Sequence, residues 1–177
     1  RFPCHGHGQA PVSLALQLRD KVRIEDIDTI NVESYNRALN SVGGGPDKPE
    51  KWDPRSRPDA DYSIPYLVAV AFRDGDITPD SFAMDRVLDP QLRPLLGKVK
   101  MSENREFTRR YPQDFNCRME VITRSGQRYA AAVTNPRGFQ QNPFTDRELE
   151  AKFSRLAQAV LSPRQCDEVL KLLWRLE

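Results

Sequence analysis

Cysteine is scarce. The 177 residues contain three, Cys4, Cys117 and Cys166, an odd number with no metal-ligand spacing, which argues against a disulfide framework or a zinc site. They are expected to be free thiols, mostly in the core. Long apolar runs are missing too: nothing approaches the ~20 residues needed to cross a bilayer, and Arg1-Phe2-Pro3 lacks the charged-then-apolar layout of a signal peptide. The expected compartment is therefore the cytoplasm, without a membrane partner. A net charge of +2 from interspersed signs leaves no long basic stripe, and aromatics that could stack bases are not interleaved with the cations, so nucleic acid is not an expected partner. Ser-His-Asp order, a phosphate loop and a dinucleotide fingerprint are all absent. Gly43 to Gly45 lacks the lysine and spacing that cradle phosphate, which sets aside classical hydrolase and kinase chemistry.

What is present describes an ordinary globular chain, 38% hydrophobic and 29% charged. Its length suits one domain, or one domain with a helical appendage. Ala10-Pro11 opens a helix carrying Val12, Ala15, Leu16 and Arg19. From Ile27 to Tyr35 the pattern alternates, Ile30 and Val32 to one side and Thr29, Asn31, Glu33 and Tyr35 to the other, as a half-buried strand does. Residues 41–61 show no apolar period and read as a long loop, headed by Gly43-Gly44-Gly45-Pro46. Ser63 caps a helix with Pro65 in its first turn and an almost wholly apolar run from Tyr66 to Phe72, ended by Asp74-Gly75. Thr78-Pro79 and Asp89-Pro90 predict two short helices, the second stopping near Gly97, and Lys98 to Ser102 a strand.

Alternation on both sides of Ser125-Gly126 predicts a hairpin, and Asn135-Pro136-Arg137-Gly138 a loop running to Pro143. Thr145 with Glu148 forms a capping box before one helix, and Ser162-Pro163 begins another. The expected fold class is α+β: a mixed sheet with packed helices over residues 1–142, then a C-terminal helical pair over 143–177. That pair has an apolar face too large for a hairpin on its own and is expected to pack on something else. Because the chain opens without Met, in a loop that reads as functional, it is expected to be an excised part of a longer protein.

Cys4-His5-Gly6-His7-Gly8-Gln9 is the leading candidate site. Glycines admit a ligand close to the backbone, and the helix start that follows offers free N–H groups and a positive dipole end, which suits carboxylates or phosphates. His5 and His7 could donate to an anion or move protons near neutral pH. His-x-His is also a metal-ligand spacing, but no Asp, Glu or Cys stands at an evident partnering distance, so no metal is expected. A purely structural role for both histidines, holding the loop, is the alternative. Tyr35, on the outer face of its strand, could reach a ligand with its phenol. Of the Arg55-x-Arg57 pair, either a carboxylate clamp or a solvated charge pair, Arg57 joins Arg1 as a candidate substrate-binding cation.

Three runs in order along the chain resemble the MmgE/PrpD family: Phe2-Pro3 with His7-Gly8-Gln9; Ser63-Ile64-Pro65-Tyr66-Leu67-Val68-Ala69 with Asp74-Gly75; and Asn142-Pro143 before Glu148-Leu149-Glu150-x-Lys152-Phe153. The resemblance implies the lid domain and returning C-terminal helices of a two-domain enzyme whose other, all-helical domain holds many of the catalytic groups. It also implies a homodimer and catalysis on small polycarboxylates with no metal or organic cofactor. Family activities include 2-methylcitrate dehydratase, cis-aconitate decarboxylase and iminodisuccinate epimerase. Carried onto this chain, the resemblance makes His5 and His7 acid/base or carboxylate-binding groups, Gln9 a substrate hydrogen-bond donor and Tyr35 a looser assignment as an acid. Dehydration is the expected reaction, with epimerisation, decarboxylation or a non-catalytic anion-binding module as alternatives, and the chain alone is expected to be inactive.

Overall fold

A four-stranded mixed sheet organises the larger part of the chain in the computed structural model, which describes residues 1–44 and 48–176. The strands are β1 (Ile27–Ser34), β2 (Val99–Glu103), β3 (Cys117–Thr123) and β4 (Arg128–Val133), in the order β2-β1-β3-β4. β1 runs parallel to β2, with Ile30 opposite Val99, and antiparallel to β3, with Val32 opposite Met119. β3 and β4 form the expected hairpin, Met119 opposite Ala131. The alternation read along β1 is borne out: Ile30 and Val32 are buried, while Asn31 and Glu33 are partly exposed.

The inner face of the sheet is covered by α1 (Gln9–Arg19) and α4 (Ile64–Asp74), which also pack on each other. α4 forms because its signals agree locally. Ser63 accepts a hydrogen bond from Tyr66 N–H, Pro65 occupies the first turn where no N–H is needed, and Gly75 closes the helix at φ +77. Ile64 to Phe72 are all buried, so this helix is the centre of the core; each fully buried Leu, Ile, Val or Phe contributes about 1.5–3 kcal/mol relative to exposure.

The reading of residues 41–61 as a loop is corrected. Gly45, Pro46 and Asp47 lie outside the described residues. Around them, α2 (Asn36–Ala38) runs into a π-turn at Leu39–Gly43, a 3-10 turn spans Pro49–Trp52, and α3 (Arg57–Asp61) starts at the Ser56 cap. Prolines that looked like loop markers stand in first turns, and the helices are too short to show a period. Thr78-Pro79 opens a 3-10 turn, and Asp89-Pro90 a 3-10 turn that leads into α6 (Arg93–Leu96). Two further helices carried too little pattern to be read: α5 (Met84–Val87) and α7 (Arg105–Arg110), the latter capped by Asn104.

By contact density the chain divides into two units, Phe2–Pro136 and a smaller one comprising Arg1 and the residues from Arg137 on. Within the smaller unit, Gly138 N–H donates to Asn142 O, Arg137 binds Glu148, and Glu148 with Thr145 closes the predicted capping box of α8 (Asp146–Ala157). Ser162 and Gln165 cap α9 (Pro163–Leu173), and Trp174 Nε1 donates to Glu150 at 2.8 Å. Leu149, Leu156, Val160, Leu172, Leu173, Trp174 and Leu176 remain exposed. Among the described residues, no helix is long and apolar enough to cross a membrane.

Candidate functional site

The loop before α1 is held by Gln9. Its Oε1 accepts from Phe2 N–H at 3.0 Å, and its Nε2 donates to the carbonyls of Phe2 and Cys4 at 2.9 and 3.2 Å. Gln9 is buried, so these bonds form away from water, where an unmet partner is expensive. The loop then turns through a 3-10 segment at Gly6–Gly8 and enters α1 beside α4, where Gly8 leaves room for the Leu67 side chain. A Cβ there would stand 2.6 Å from Leu67 Cδ1 and 3.4 Å from Cys4 Sγ.

This turn presents the two histidines together, ring centroids 4.9 Å apart. His5 Nδ1 accepts from His7 N–H at 3.2 Å, which leaves the ring proton for Nε2. The His5 backbone N–H donates to Asp61 Oδ1 at 2.8 Å, and the His5 ring lies 4.7 Å from that of Tyr62. His7 Nδ1 is 2.7 Å from Tyr35 Oη.

Tyr35 departs from its expected position. It stands one residue beyond β1 and is 2% exposed, because its ring lies among other aromatics instead of on the solvated face of the sheet. Tyr111 stacks on it at 4.5 Å and 14°, and Phe115 meets it edge-on at 6.0 Å.

Burial, then the neighbouring His5 and Arg37, lower the His7 pKa to about 4. Burial, then Tyr111 and Cys117, push the Tyr35 phenol well above its ordinary range. Both groups are consequently neutral at pH 7, and their shared hydrogen bond has two arrangements. With Tyr35 donating, His7 Nε2 carries a proton to give; with His7 Nδ1–H donating, Nε2 is a free base. The pair can therefore pass a proton in either direction. Cys4, half-buried beside it, is held as a thiol, its pKa pushed up to about 12 by burial and then by Asp61, and is unsuited to nucleophilic attack.

His5, His7, Tyr35 and Gln9 are thus brought together, with the Gln9 amide turned onto its own loop. Arg57 is exposed at the start of α3, in a cavity with Pro3, Asp61, Tyr62 and Phe82, on the His5 side of the site. Its sequence neighbour Arg55 is engaged with Asp53 at 2.8 Å. Arg1 belongs to the other unit, in a cavity with Arg137, Phe144, Glu148 and Lys152. Sequence reasoning missed Asp61, Tyr62, Tyr111, Phe115 and Arg37. Asp61-Tyr62 stands immediately before the Ser63 cap and could have been suspected from that alone; Tyr111 and Phe115 carried no signal. Among the described residues, no three His, Cys, Asp or Glu side chains converge to hold a metal ion.

Comparison with known proteins gives a match to the family model of the MmgE/PrpD C-terminal domain over residues 2–176. Cis-aconitate decarboxylase of Homo sapiens is 29% identical over 131 residues, 70% of this chain and 26% of that protein. The Mus musculus protein of the same name is 27% identical over 70% of the chain and 25% of its own length. A mitochondrial 2-methylcitrate dehydratase of Yarrowia lipolytica is 25% identical over 62% of the chain and 21% of its own length. The chain spans about a quarter of the length of the curated relatives it matches.

Proposed function

The chain belongs to the MmgE/PrpD family, as its C-terminal domain, and on that premise we propose that it supplies part of the active site of a lyase resembling 2-methylcitrate dehydratase. The substrate is a small polycarboxylate, and no cofactor is used. Relatives named as a dehydratase and as decarboxylases support lyase chemistry. The single observation that carries the reading is the 2.7 Å bond between His7 and Tyr35, two groups held neutral by burial.

Dehydration requires a proton to leave the carbon beside a carboxylate while hydroxide leaves the next carbon. Negative charge builds on the carboxylate as the C–H bond breaks, so donors and cations around it lower the barrier. In this proposal His7 Nε2 accepts the proton from carbon while Nδ1–H stays bonded to Tyr35. An unliganded pKa near 4 makes His7 a weak base, but a substrate bearing several carboxylates raises it by opposite charge on binding. His5 Nε2–H donates a hydrogen bond to the departing hydroxyl, and the proton with which that hydroxyl leaves as water comes from an acid in the rest of the full-length protein. Arg57 binds a substrate carboxylate, and Gln9 acts by fixing the loop. The remaining groups come from the rest of the full-length protein, which also covers the exposed apolar side chains of α8 and α9. The full-length protein is a cytoplasmic homodimer in this proposal.

The 29% identity to a cis-aconitate decarboxylase over 70% of the chain favours a second reading, in which the same pair delivers a proton to the carbon that loses carbon dioxide. Both are tested by product NMR on the full-length protein with 2-methylcitrate, cis-aconitate and iminodisuccinate. Loss of water, loss of carbon dioxide or inversion identifies the reaction. His7→Gln lowers turnover at least 100-fold if His7 handles the proton; unchanged turnover in a folded variant rejects that role.

A further inference from the structure

The His7–Tyr35 pair is enclosed from a distant stretch of the chain. Thr108 in α7 accepts, through Oγ1, the backbone N–H of Asn36 at 2.9 Å, which registers α7 against the residue next to Tyr35. One turn later Tyr111 N–H bonds Phe107 O at 3.1 Å, and the Tyr111 ring lies flat on Tyr35, centroids 4.5 Å apart and 14° from parallel. Phe115 is fixed in turn by its N–H to Asn135 Oδ1 at 3.1 Å. It stands edge-on to Tyr111 at 5.5 Å and to Tyr35 at 6.0 Å, with its ring 6.5 Å from that of His7. Tyr111 is itself 6.1 Å from His7.

We propose that Tyr111 is a positioning residue, whose ring, backed by Phe115, seals the hydrogen bond between Tyr35 and His7 against water. Flat stacking fixes the plane of the Tyr35 ring and so the direction of its hydroxyl, while the aromatic edges occupy space that water would need to compete for either partner. The catalytic meaning of this seal rests on the function proposed above, but its existence does not.

His7 and His5 are the two histidines of the chain, so imidazole NMR follows them directly, and His5→Gln assigns them. The charged and titratable groups facing His7 are His5 on its own loop, Tyr35 after β1, Arg37 on α2 and Tyr111 after α7. In Tyr111→Ala, water reaches the pair, and the proton affinity of His7 rises tenfold or more, from a midpoint of about 4 towards its ordinary 6.5. Tyr111→Phe keeps the ring and leaves the midpoint in place. A folded Tyr111→Ala chain whose His7 still titrates near the original midpoint overturns the proposal. Should that variant fail to fold, the wild-type chain decides: a sealed bond gives a slowly exchanging downfield resonance for the shared proton, whereas exchange as fast as that of an exposed hydroxyl overturns the seal. In the full-length protein, a moved His7 midpoint with an unmoved pH profile of kcat would remove His7 from catalysis and leave the role of Tyr111 intact.

Discussion

Gln9 bonds Phe2 in both directions: Phe2 N–H donates to Gln9 Oε1 at 3.0 Å, and Gln9 Nε2 donates to the Phe2 carbonyl at 2.9 Å. Two residues seven positions apart are thereby closed into a ring of hydrogen bonds, and the histidines lie on the loop between them. Replacement of Gln9 by Glu tests this arrangement with almost no change of shape. The oxygen that replaces Nε2 would face the carbonyls of Phe2 and Cys4, which offer no proton, so only the protonated acid restores the bonds. Its folded pKa is consequently raised above the ordinary ~4.3 of Glu. Stability relative to wild type is therefore nearest normal below that pH and is lost as pH rises through the folded value. The expected deficit at pH 7 is about 1–3 kcal/mol, and chemical denaturation at pH 4 and pH 7 measures both ends.

Gly8 marks the close approach of α1 to α4. A methyl group at this position overlaps Leu67 Cδ1, and because Leu67 is fully buried, any shift of its side chain must be made at the expense of its packing. Gly8→Ala is expected to destabilise the chain by about 1–3 kcal/mol and to displace the turn that carries His7. Combining it with Leu67→Ala should recover part of the loss, because each change relieves the other's fault. Denaturation of the single and double variants gives the coupling; strictly additive effects would mean that the two side chains do not meet.

The elements legible in the sequence are those whose signals are local. α4 carried its cap, its first-turn proline and its terminal glycine within thirteen residues, Ser63 to Gly75, and β1 and the hairpin carried their alternation. α7 could not be read in the same way, since six residues rich in charge give no period and Asn104 was its main signal. The candidate site was half legible for the same reason. His5, His7 and Gln9 share one segment, but the partners that give them their chemistry arrive from afar: Tyr35 at 28 residues' separation and Asp61 at 56. Such contacts are made by the sheet and by α3, so no spacing rule within the loop could have named them. Tyr35 itself was misplaced because strand alternation says which face a side chain leaves from, and not which aromatics of another segment cover it.

Arg57 is exposed and without a salt bridge among the described residues, so its removal should leave the fold nearly untouched, within about 0.5 kcal/mol. If it holds a substrate carboxylate, Arg57→Ala in the full-length protein raises KM about tenfold or more, in line with the loss of a charge-assisted bond of about 1.5–3 kcal/mol, while Arg57→Lys restores part of the affinity without the bidentate geometry. Steady-state kinetics separate the cases. An unchanged KM would assign Arg57 to the solvated surface.

His7 also ties stability to pH. Its folded pKa, lowered to about 4 from an ordinary 6.5, means that between these values the unfolded chain binds a proton that the folded chain refuses. The contribution is complete above about pH 6.5, falls as pH drops through the window and levels off below about 4. Carboxylates held low by arginines act in the same direction but at lower pH; Glu148, drawn down to about 2 chiefly by Arg137, loses its contribution only as pH falls from its ordinary 4.5 through that value. The window from pH 4.5 to 6.5 therefore isolates the histidine. His7→Gln has no titrating group at this position, so its denaturation midpoint should fall less steeply than that of wild type across that window, and the two curves should run parallel below pH 4. Equal slopes from pH 6.5 to 4.5 would mean that His7 takes up its proton as readily in the folded chain as in the unfolded one, and that its ring is not shielded from water.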